Sequence, residues 1–142
     1  MKLAADSNST QRVLGSNEDS TVFVYFSDHG APGHLIMPDD AIYADELHSL
    51  IGEMYETGMY NELALFIEAC ESGSMFQDFD LGPYKAWAMT ATDAVNPSYG
   101  TYCHPHDEVN GQHLYTCLGD LFSVSWMEYI EDNYDSLSSL SL

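Results

Sequence analysis

The sequence predicts an α/β fold with a mainly parallel β-sheet, and three observations support this. Strand-like and helix-like patterns alternate along the chain, as is typical of α/β folds. Residues 63–67 (LALFI) form a continuously apolar run, which is typical of a parallel strand covered by helices on both faces. The chain has 142 residues, of which 45% are apolar and 13% aromatic, enough for one packed core.

The first half of the chain contains two predicted strands and one helix. Residues 21–26 (TVFVYF) are β-branched and aromatic, which favours a strand, and residues 31–33 (APG) break the chain after it. Apolar residues recur at intervals of three and four between residues 44 and 57, so we expect an amphipathic helix capped by Gly58. The apolar run 63–67 is the second strand, and it ends at a Ser-Gly-Ser sequence.

The second half is predicted to add one strand and one helix. Residues 84–92 (YKAWAMTAT) favour a third strand, followed by a loop over 93–100 that contains Asn-Pro-Ser. Helical spacing of apolar residues begins at residue 118 and continues to residue 130. We expect a polar N-terminal tail over residues 1–20 and a frayed end over 136–142.

Three parallel strands form a small sheet for a chain of this length. Such a sheet would leave long hydrophobic edges exposed, an arrangement that natural proteins avoid. We therefore expect that strands are missing from this sequence and that the exposed sheet edge can support self-association.

The charge of the chain restricts its partners. Twenty-three acidic residues stand against three basic ones, giving a formal charge of −20 that repels nucleic-acid phosphates and anionic membranes. An acidic compartment would relieve this repulsion, although a generally acidic proteome explains the composition equally well. No stretch approaches the roughly 20 apolar residues of a membrane span, and no signal peptide is visible.

Two strands in succession end in reactive side chains. His29 follows the first strand and Cys70 the second, and in a parallel sheet such ends lie side by side. A thiolate next to an imidazole is a pair for acyl transfer, and the backbone N–H groups of Gly30 and Cys70 could stabilise the oxyanion. The alternative is that Cys70 is a core thiol and His29 a turn residue.

Longer motifs around these residues carry a family resemblance. The segments VFVYFSDHGAPG (22–33) and EACESGSMF (68–76) resemble the legumain family of asparaginyl endopeptidases, and YGTYC (99–103) and TCLGDLFSVSWME (116–128) extend the similarity. The resemblance implies a caspase-like three-layer αβα sandwich with a mainly parallel sheet. It also implies a cysteine endopeptidase that cleaves peptide or protein substrates after asparagine.

The resemblance also implies roles for individual residues. Cys70 corresponds to the nucleophile, His29 to the general base and acid, and Gly30 to the oxyanion hole. Asp28 is assigned an effect on the environment of His29, because family members can carry a modified aspartate there.

The pocket for the substrate asparagine is assigned by the same resemblance to Glu68, Ser98 and Asp120. The chemistry agrees, because a primary amide contains both donors and an acceptor for such groups to pair. Without the resemblance, each of these three residues would be interpreted as a solvated surface residue.

A second set of residues lies in the loop between Cys103 and Cys117. It resembles the cysteine-bounded loop of plant-type family members, which implies a disulfide, although the proline run of those loops is lacking. The loop also contains His104, His106 and His113, so zinc bound by histidines and cysteines is the alternative, although a solvated, pH-sensitive rim explains the histidines more simply. We assign no metal ion and no cofactor.

The chain departs from the family pattern at both ends. Family members have a long preceding segment, with the first two strands of the sheet and a pocket arginine, and a C-terminal prodomain. We therefore expect residues 21–135 to be a partial peptidase domain with reduced or no activity. Alternatives are a subunit like the catalytic one of GPI transamidase, or a non-catalytic decoy or interaction fragment. The resemblance implies a vacuolar, lysosomal or secretory location.

Overall fold

The computed structural model describes residues 14–137 as a series of short strands and helices. The strands are β1 (Thr21–Ser27), β2 (Gly30–Ala31), β3 (His34–Ile36), β4 (Ala41–Tyr43), β5 (Glu62–Glu68), β6 (Ala86–Thr90), β7 (Gly100–Thr101), β8 (Glu108–Val109), β9 (Gln112–His113) and β10 (Gly119–Asp120). The helices are α1 (Ala44–Glu56), α2 (Leu121–Asp132) and α3 (Tyr134–Leu137), with 3₁₀ turns at Ser72–Phe76 and Gly82–Tyr84.

The centre of the molecule is a parallel sheet with the strand order β1-β5-β6. β1 and β5 are in register from Thr21 opposite Glu62 to Ser27 opposite Glu68. β6 pairs on the other side of β5, where Leu63 lies opposite Ala86. The predicted α/β class with a parallel sheet is therefore confirmed, with the apolar run 63–67 in its central strand.

The two faces of the sheet pack against different helices, which gives three layers. On one face, alternate residues of β5 pack into a buried core with the apolar side of α1: Leu63, Leu65, Ile67, Leu47, Ile51 and Met54. On the opposite face, Phe66 contacts Phe122 and Trp126 of α2, with ring centroids 5.8 Å and 5.2 Å apart. This alternation follows from the two-residue period of a strand, and it explains why β5 is apolar throughout.

Residues 31–33, interpreted from the sequence as a break, lie in a segment, 30–43, that forms an antiparallel three-stranded meander, β2-β3-β4. The turn between β2 and β3 consists of Pro32 and Gly33, and Gly33 has φ +76°. Proline followed by a residue with positive φ is typical of a tight turn, and glycine adopts that conformation without strain. Leu35 of β3 is buried in the main core and anchors the meander to the sheet.

Three further element ends can be compared with the sequence interpretation. Gly58 follows the last turn of α1 with φ +65°, as expected for its cap. The third strand begins at residue 86 instead of 84, because a 3₁₀ turn precedes it and Lys85 has φ +48°. The C-terminal helix begins at Leu121 instead of residue 118, because residues 119–120 pair with β7.

The predicted tail and frayed end fall mostly outside the described residues. Residues 1–13 and 138–142 are not among them, while the backbone N–H of Ser20 donates to the Asn17 carbonyl in a turn before β1. Within residues 14–137, β1 and β6 are the edges of the sheet, and Phe23 and Trp87 on them are about half exposed (53% and 49%). No helix in this part of the chain is long and apolar enough to cross a membrane.

Candidate active site

The carboxyl ends of β1 and β5 meet at one cavity. The two strands stay in register to their last residues, and the backbone N–H of Asp28 then donates to the Glu68 carbonyl at 3.2 Å. A cavity of about 290 Å³ opens there. It is lined by Ser27, Asp28, His29, Glu68, Cys70, Ser98 and Asp120. The side chains that the sequence analysis placed at separate strand ends and loops thus line one space, and Gly30 adjoins it.

Cys70 is a half-buried free thiol at this cavity. Its Sγ atom lies 3.8 Å from the Ser98 hydroxyl oxygen and 4.0 Å from the Ser98 carbonyl. The loop that carries Ser98 crosses directly over the strand end, where the backbone N–H of Glu71 donates to the Asn96 carbonyl at 2.9 Å. Ser98 is therefore held against the sulfur by backbone contacts.

Asp93 organises the loop before Ser98. Its carboxylate accepts hydrogen bonds from the backbone N–H groups of Val95 and Asn96 and from the Asn96 side chain. The Val95 N–H, followed by the other donors, lowers the pKa of Asp93 below its ordinary value. The ionised carboxylate is thus the form that holds this loop together.

His29 presents an exposed imidazole to the cavity. Its backbone N–H donates to the Asp28 carboxylate at 2.7 Å, and its carbonyl accepts a hydrogen bond from Ile36 of β3 at 3.0 Å. These contacts fix the backbone, while the ring makes no hydrogen bond within residues 14–137. The backbone position of His29 is therefore set by hydrogen bonds, and His29 lines the cavity together with Cys70.

Position 30 has no room for a side chain. A Cβ atom at this position would lie 2.9 Å from the Ala69 side chain and would overlap the Cys70 carbonyl oxygen. Glycine therefore lets the backbone after His29 pass against the strand end that carries Cys70. This close approach brings the two catalytic candidates to the same cavity wall.

Glu68 is a buried carboxylate with one oxygen paired and one free. Only 2% of the residue is exposed, and Oε2 accepts hydrogen bonds from the backbone N–H and the hydroxyl of Ser123 at 2.8 Å and 2.7 Å. Oε1 has no hydrogen-bond partner within residues 14–137. The Ser123 hydroxyl also lies 2.7 Å from the Tyr25 hydroxyl. Glu68, which lines the cavity, is therefore a fixed carboxylate with one buried oxygen that accepts no hydrogen bond from the described residues.

The start of α2 explains the positions of both cavity carboxylates. The first backbone N–H groups of a helix lack intrahelical partners. The Glu68 carboxylate, at the end of β5, accepts a hydrogen bond from one of them, the backbone N–H of Ser123. Asp120 is the N-cap residue but makes no side-chain capping bond. Its carboxylate can therefore line the cavity.

Ser123 was not among the site residues predicted from the sequence, although it lies within the TCLGDLFSVSWME motif. The available signal was its position in the first turn of the predicted helix, just after Asp120. The partner could not be found this way, because Glu68 is 55 residues away in the chain.

No lysine or arginine within residues 14–137 lines the cavity. Lys85 is the one lysine or arginine within residues 14–137, and it does not line the cavity. Glu68 and Asp120 therefore line the same cavity, and no lysine or arginine of the described chain lines it with them.

The predicted disulfide between Cys103 and Cys117 is present. Both sulfurs are used in this bond, so the zinc alternative that relied on the two cysteines is wrong for this oxidised form. The bond closes the loop just before Gly119 and Asp120, which pair with Thr101 and Gly100. The loop is therefore tied to the rim of the cavity.

Known proteins match most of the chain. Residues 2–141 match the Peptidase C13 family. Legumain of Canavalia ensiformis is 40% identical over 118 residues, covering 82% of this chain and 25% of the relative. A vacuolar-processing enzyme of Citrus sinensis is 42% identical over 118 residues, covering 82% and 24%. The hemoglobinase of Schistosoma mansoni is 38% identical over 125 residues, covering 88% and 28%. The chain spans about a quarter of the length of these curated relatives.

Proposed function

The chain belongs to the Peptidase C13 family, and from this premise we propose that its cavity is the active site of a cysteine endopeptidase that cleaves peptide bonds after asparagine. The observation that carries the proposal is Glu68, a buried carboxylate that lines the same cavity as the Cys70 thiol and whose Oε1 atom has no hydrogen-bond partner within residues 14–137. Because a buried acceptor without a partner is costly, a substrate that donates a hydrogen bond to it gains affinity.

Acylation begins with the Cys70 thiol. His29 accepts the thiol proton, and the thiolate attacks the backbone carbonyl carbon of the substrate asparagine, forming a carbon–sulfur bond. The N–H groups of Gly30 and Cys70 stabilise the tetrahedral oxyanion. The C–N bond then breaks, and His29 returns its proton to the leaving amine, leaving a thioester on Cys70.

Deacylation reverses these roles with water as the nucleophile. His29 removes a proton from the water, the resulting hydroxide attacks the thioester carbonyl, and the C–S bond breaks. The proton on His29 passes to the leaving sulfur, which restores the starting dyad. The free imidazole of His29 suits this shuttle, since no hydrogen bond within the described chain holds it elsewhere.

Specificity for asparagine follows from the pairing of its amide. The amide NH₂ donates to Glu68 Oε1 and to the Asp120 carboxylate, while the amide oxygen accepts a hydrogen bond from the Ser98 hydroxyl. A substrate aspartate would bring a third carboxylate next to two others and be repelled. A glutamine would carry the same amide one methylene too far.

Two further features belong to the proposal. The like charges of Glu68 and Asp120 weaken the pocket when no cation lies between them, so we expect this chain alone to turn over substrate slowly or not at all. An acidic compartment such as a vacuole or lysosome would reduce this repulsion, and the name of the relative from Citrus sinensis refers to vacuolar processing.

The test uses covalent labelling, because it does not depend on full turnover. An Ala-Ala-Asn peptide with an electrophilic end group should modify Cys70 in the native chain at least about tenfold faster than the Gln and Asp analogues, a difference of about 1.4 kcal/mol. Glu68→Gln should reduce this preference, whereas Glu71→Gln, in the neighbouring turn, serves as the matched control.

Two results would contradict the proposal. Equal labelling by the Asn, Gln and Asp peptides would reject the asparagine pocket, and labelling that appears only after unfolding would reject Cys70 as an active-site thiol. A fluorogenic Ala-Ala-Asn substrate assayed between pH 4 and 7 then measures turnover, with Cys70→Ala as the blank. Fast turnover abolished by Cys70→Ala would overturn the expectation of low activity.

A further inference from the structure

A second cluster of ligating side chains lies in the loop closed by the disulfide, outside the proposed active site. The Nδ1 atoms of His104 and His113 lie 3.3 Å and 2.8 Å from the same oxygen, Oδ1 of Asp107. All three ligand atoms lie within 4.8 Å of one another. Two imidazole nitrogens and one carboxylate oxygen thus converge on one point.

Asp107 is positioned by the loop itself. It is fully buried, and its second oxygen, Oδ2, accepts the backbone N–H of Tyr115 at 2.6 Å. Its carbonyl accepts the N–H of Leu114 at 3.1 Å. These bonds turn Oδ1 towards the two imidazoles, in the way that outer hydrogen bonds orient the ligands of metal sites.

A tight hairpin places His113 next to this carboxylate. β8 and β9 pair with Glu108 opposite His113, and Asn110 and Gly111 between them have positive φ values of 53° and 80°. Two consecutive residues with positive φ, as Asn-Gly, are typical of the turn that matches strand twist. The disulfide closes the loop around this hairpin, so the cluster is held by local structure.

We propose that His104, Asp107 and His113 form a binding site for a divalent cation of the Zn²⁺ type, with water as the fourth ligand. Zinc bound at about 2.0–2.1 Å in a tetrahedron separates its ligand atoms by about 3.3 Å. The distances of 2.8 Å and 3.3 Å are close to this separation. Imidazole and carboxylate are zinc ligands, and the acidic chain attracts cations.

The zinc site considered from the sequence had the wrong partners. It combined the three histidines with Cys103 and Cys117, whereas the cysteines are bonded to each other and Asp107 is the third member of the cluster. His106 is not part of the cluster, and its backbone N–H donates to the Cys103 carbonyl at 2.7 Å. The loop therefore contains its own control residue.

The competing interpretation is a loop held by histidine–aspartate hydrogen bonds alone. Both interpretations use the same contacts, so only added metal separates them. Titration of Zn²⁺ alone into the oxidised chain by isothermal calorimetry at neutral pH is the direct measurement. Cys70→Ala should be used as the background, because the free thiol is itself a zinc ligand.

The expected result is one equivalent of Zn²⁺ bound with a dissociation constant in the micromolar range or below. His113→Ala should weaken binding at least about tenfold, since a ligand is lost, and His106→Ala should leave it unchanged. Co²⁺ in place of Zn²⁺ should give the visible absorption of a tetrahedral site, which does not depend on the stability of any variant.

Either of two outcomes would overturn the proposal. No saturable binding to the background chain would mean that the cluster is a hydrogen-bonded loop. Equal binding by His113→Ala and His106→Ala, with both variants folded by circular dichroism, would place the metal elsewhere on the acidic surface. Neither outcome bears on the proposed peptidase activity, because the cluster and the cavity share no residue.

Discussion

Replacing Ser123 by alanine tests how the buried carboxylate of Glu68 is held. The substitution removes the hydroxyl that donates to Glu68 Oε2 at 2.7 Å but keeps the backbone N–H that donates to the same oxygen at 2.8 Å. A hydrogen bond to a charged group contributes about 1.5–3 kcal/mol, and because Glu68 is only 2% exposed, solvent replaces the lost donor poorly. We expect the free energy of unfolding to fall by about 2 kcal/mol, which raises the unfolded fraction about thirtyfold.

Urea unfolding followed by tryptophan fluorescence measures this loss. Trp126 packs between Phe66 and Tyr25, with ring centroids 5.2 Å and 5.7 Å away, so its emission reports the packing of α2 on the sheet. The midpoint should shift while the slope of the transition stays unchanged, because the same surface is exposed on unfolding.

Ser125→Ala is the matched control for Ser123→Ala. Ser125 lies on the same helix, is exposed, and donates only to the Leu121 carbonyl one turn earlier, so its loss should change stability by less than about 0.5 kcal/mol. Tyr25→Phe removes the outer hydroxyl of the chain of hydrogen bonds and should cost about 1 kcal/mol. In the double variant, Tyr25→Phe should lower the free energy of unfolding by less than it does in the otherwise unchanged chain, because Ser123→Ala has already removed its partner. Equal stability of Ser123→Ala and Ser125→Ala would refute this account of Glu68.

Three further outcomes are expected. Gly30→Ala should push the backbone after His29 away from Cys70 and lower both stability and Cys70 labelling, because its Cβ overlaps the Cys70 carbonyl. Gly15→Ala, with open space around it, should be neutral in both thermal unfolding and labelling. The lowered pKa of Asp93 means that its contribution to stability is present above the unfolded-state value of about 3.9 and is lost as pH falls through the lower folded-state value; Asp93→Asn should therefore flatten the acid limb of a stability–pH curve, and an unchanged limb would contradict this. Reduction of the Cys103–Cys117 bond should increase amide hydrogen exchange in residues 103–120 but leave β5 protected; uniform loss of protection would mean that the bond supports the whole fold.

The prediction of self-association through the sheet edge also stays open to measurement. β1 and β6 expose Phe23, Trp87 and Met89 at the edges of the sheet within residues 14–137. Analytical ultracentrifugation at increasing concentration would detect association, and Trp87→Lys should reduce it. A concentration-independent monomer would exclude the edge as a contact.

The sequence alone determined the central features of the fold and the positions of the reactive groups. The apolar run 63–67 is covered by helices on both faces of the sheet. Burial on both faces requires a continuously apolar sequence, which can be recognised without knowing which helices cover the strand. Cys70 and His29 could be placed together because two parallel strands that end in polar turns bring their ends to one edge. Such conclusions depend on local periodicity and on the general geometry of parallel sheets.

Only the tertiary structure determined which polar groups pair over long distances. Glu68 and Ser123 are 55 residues apart, and their bond exists because α2 begins directly over the carboxyl end of β5. The contact of Asp107 with His104 and His113 was not predicted, because its burial depends on a hairpin turn and a disulfide acting together. A local sequence pattern indicates which face of a helix or strand is buried. The partner of a buried polar atom depends instead on how elements that are distant in the sequence pack together.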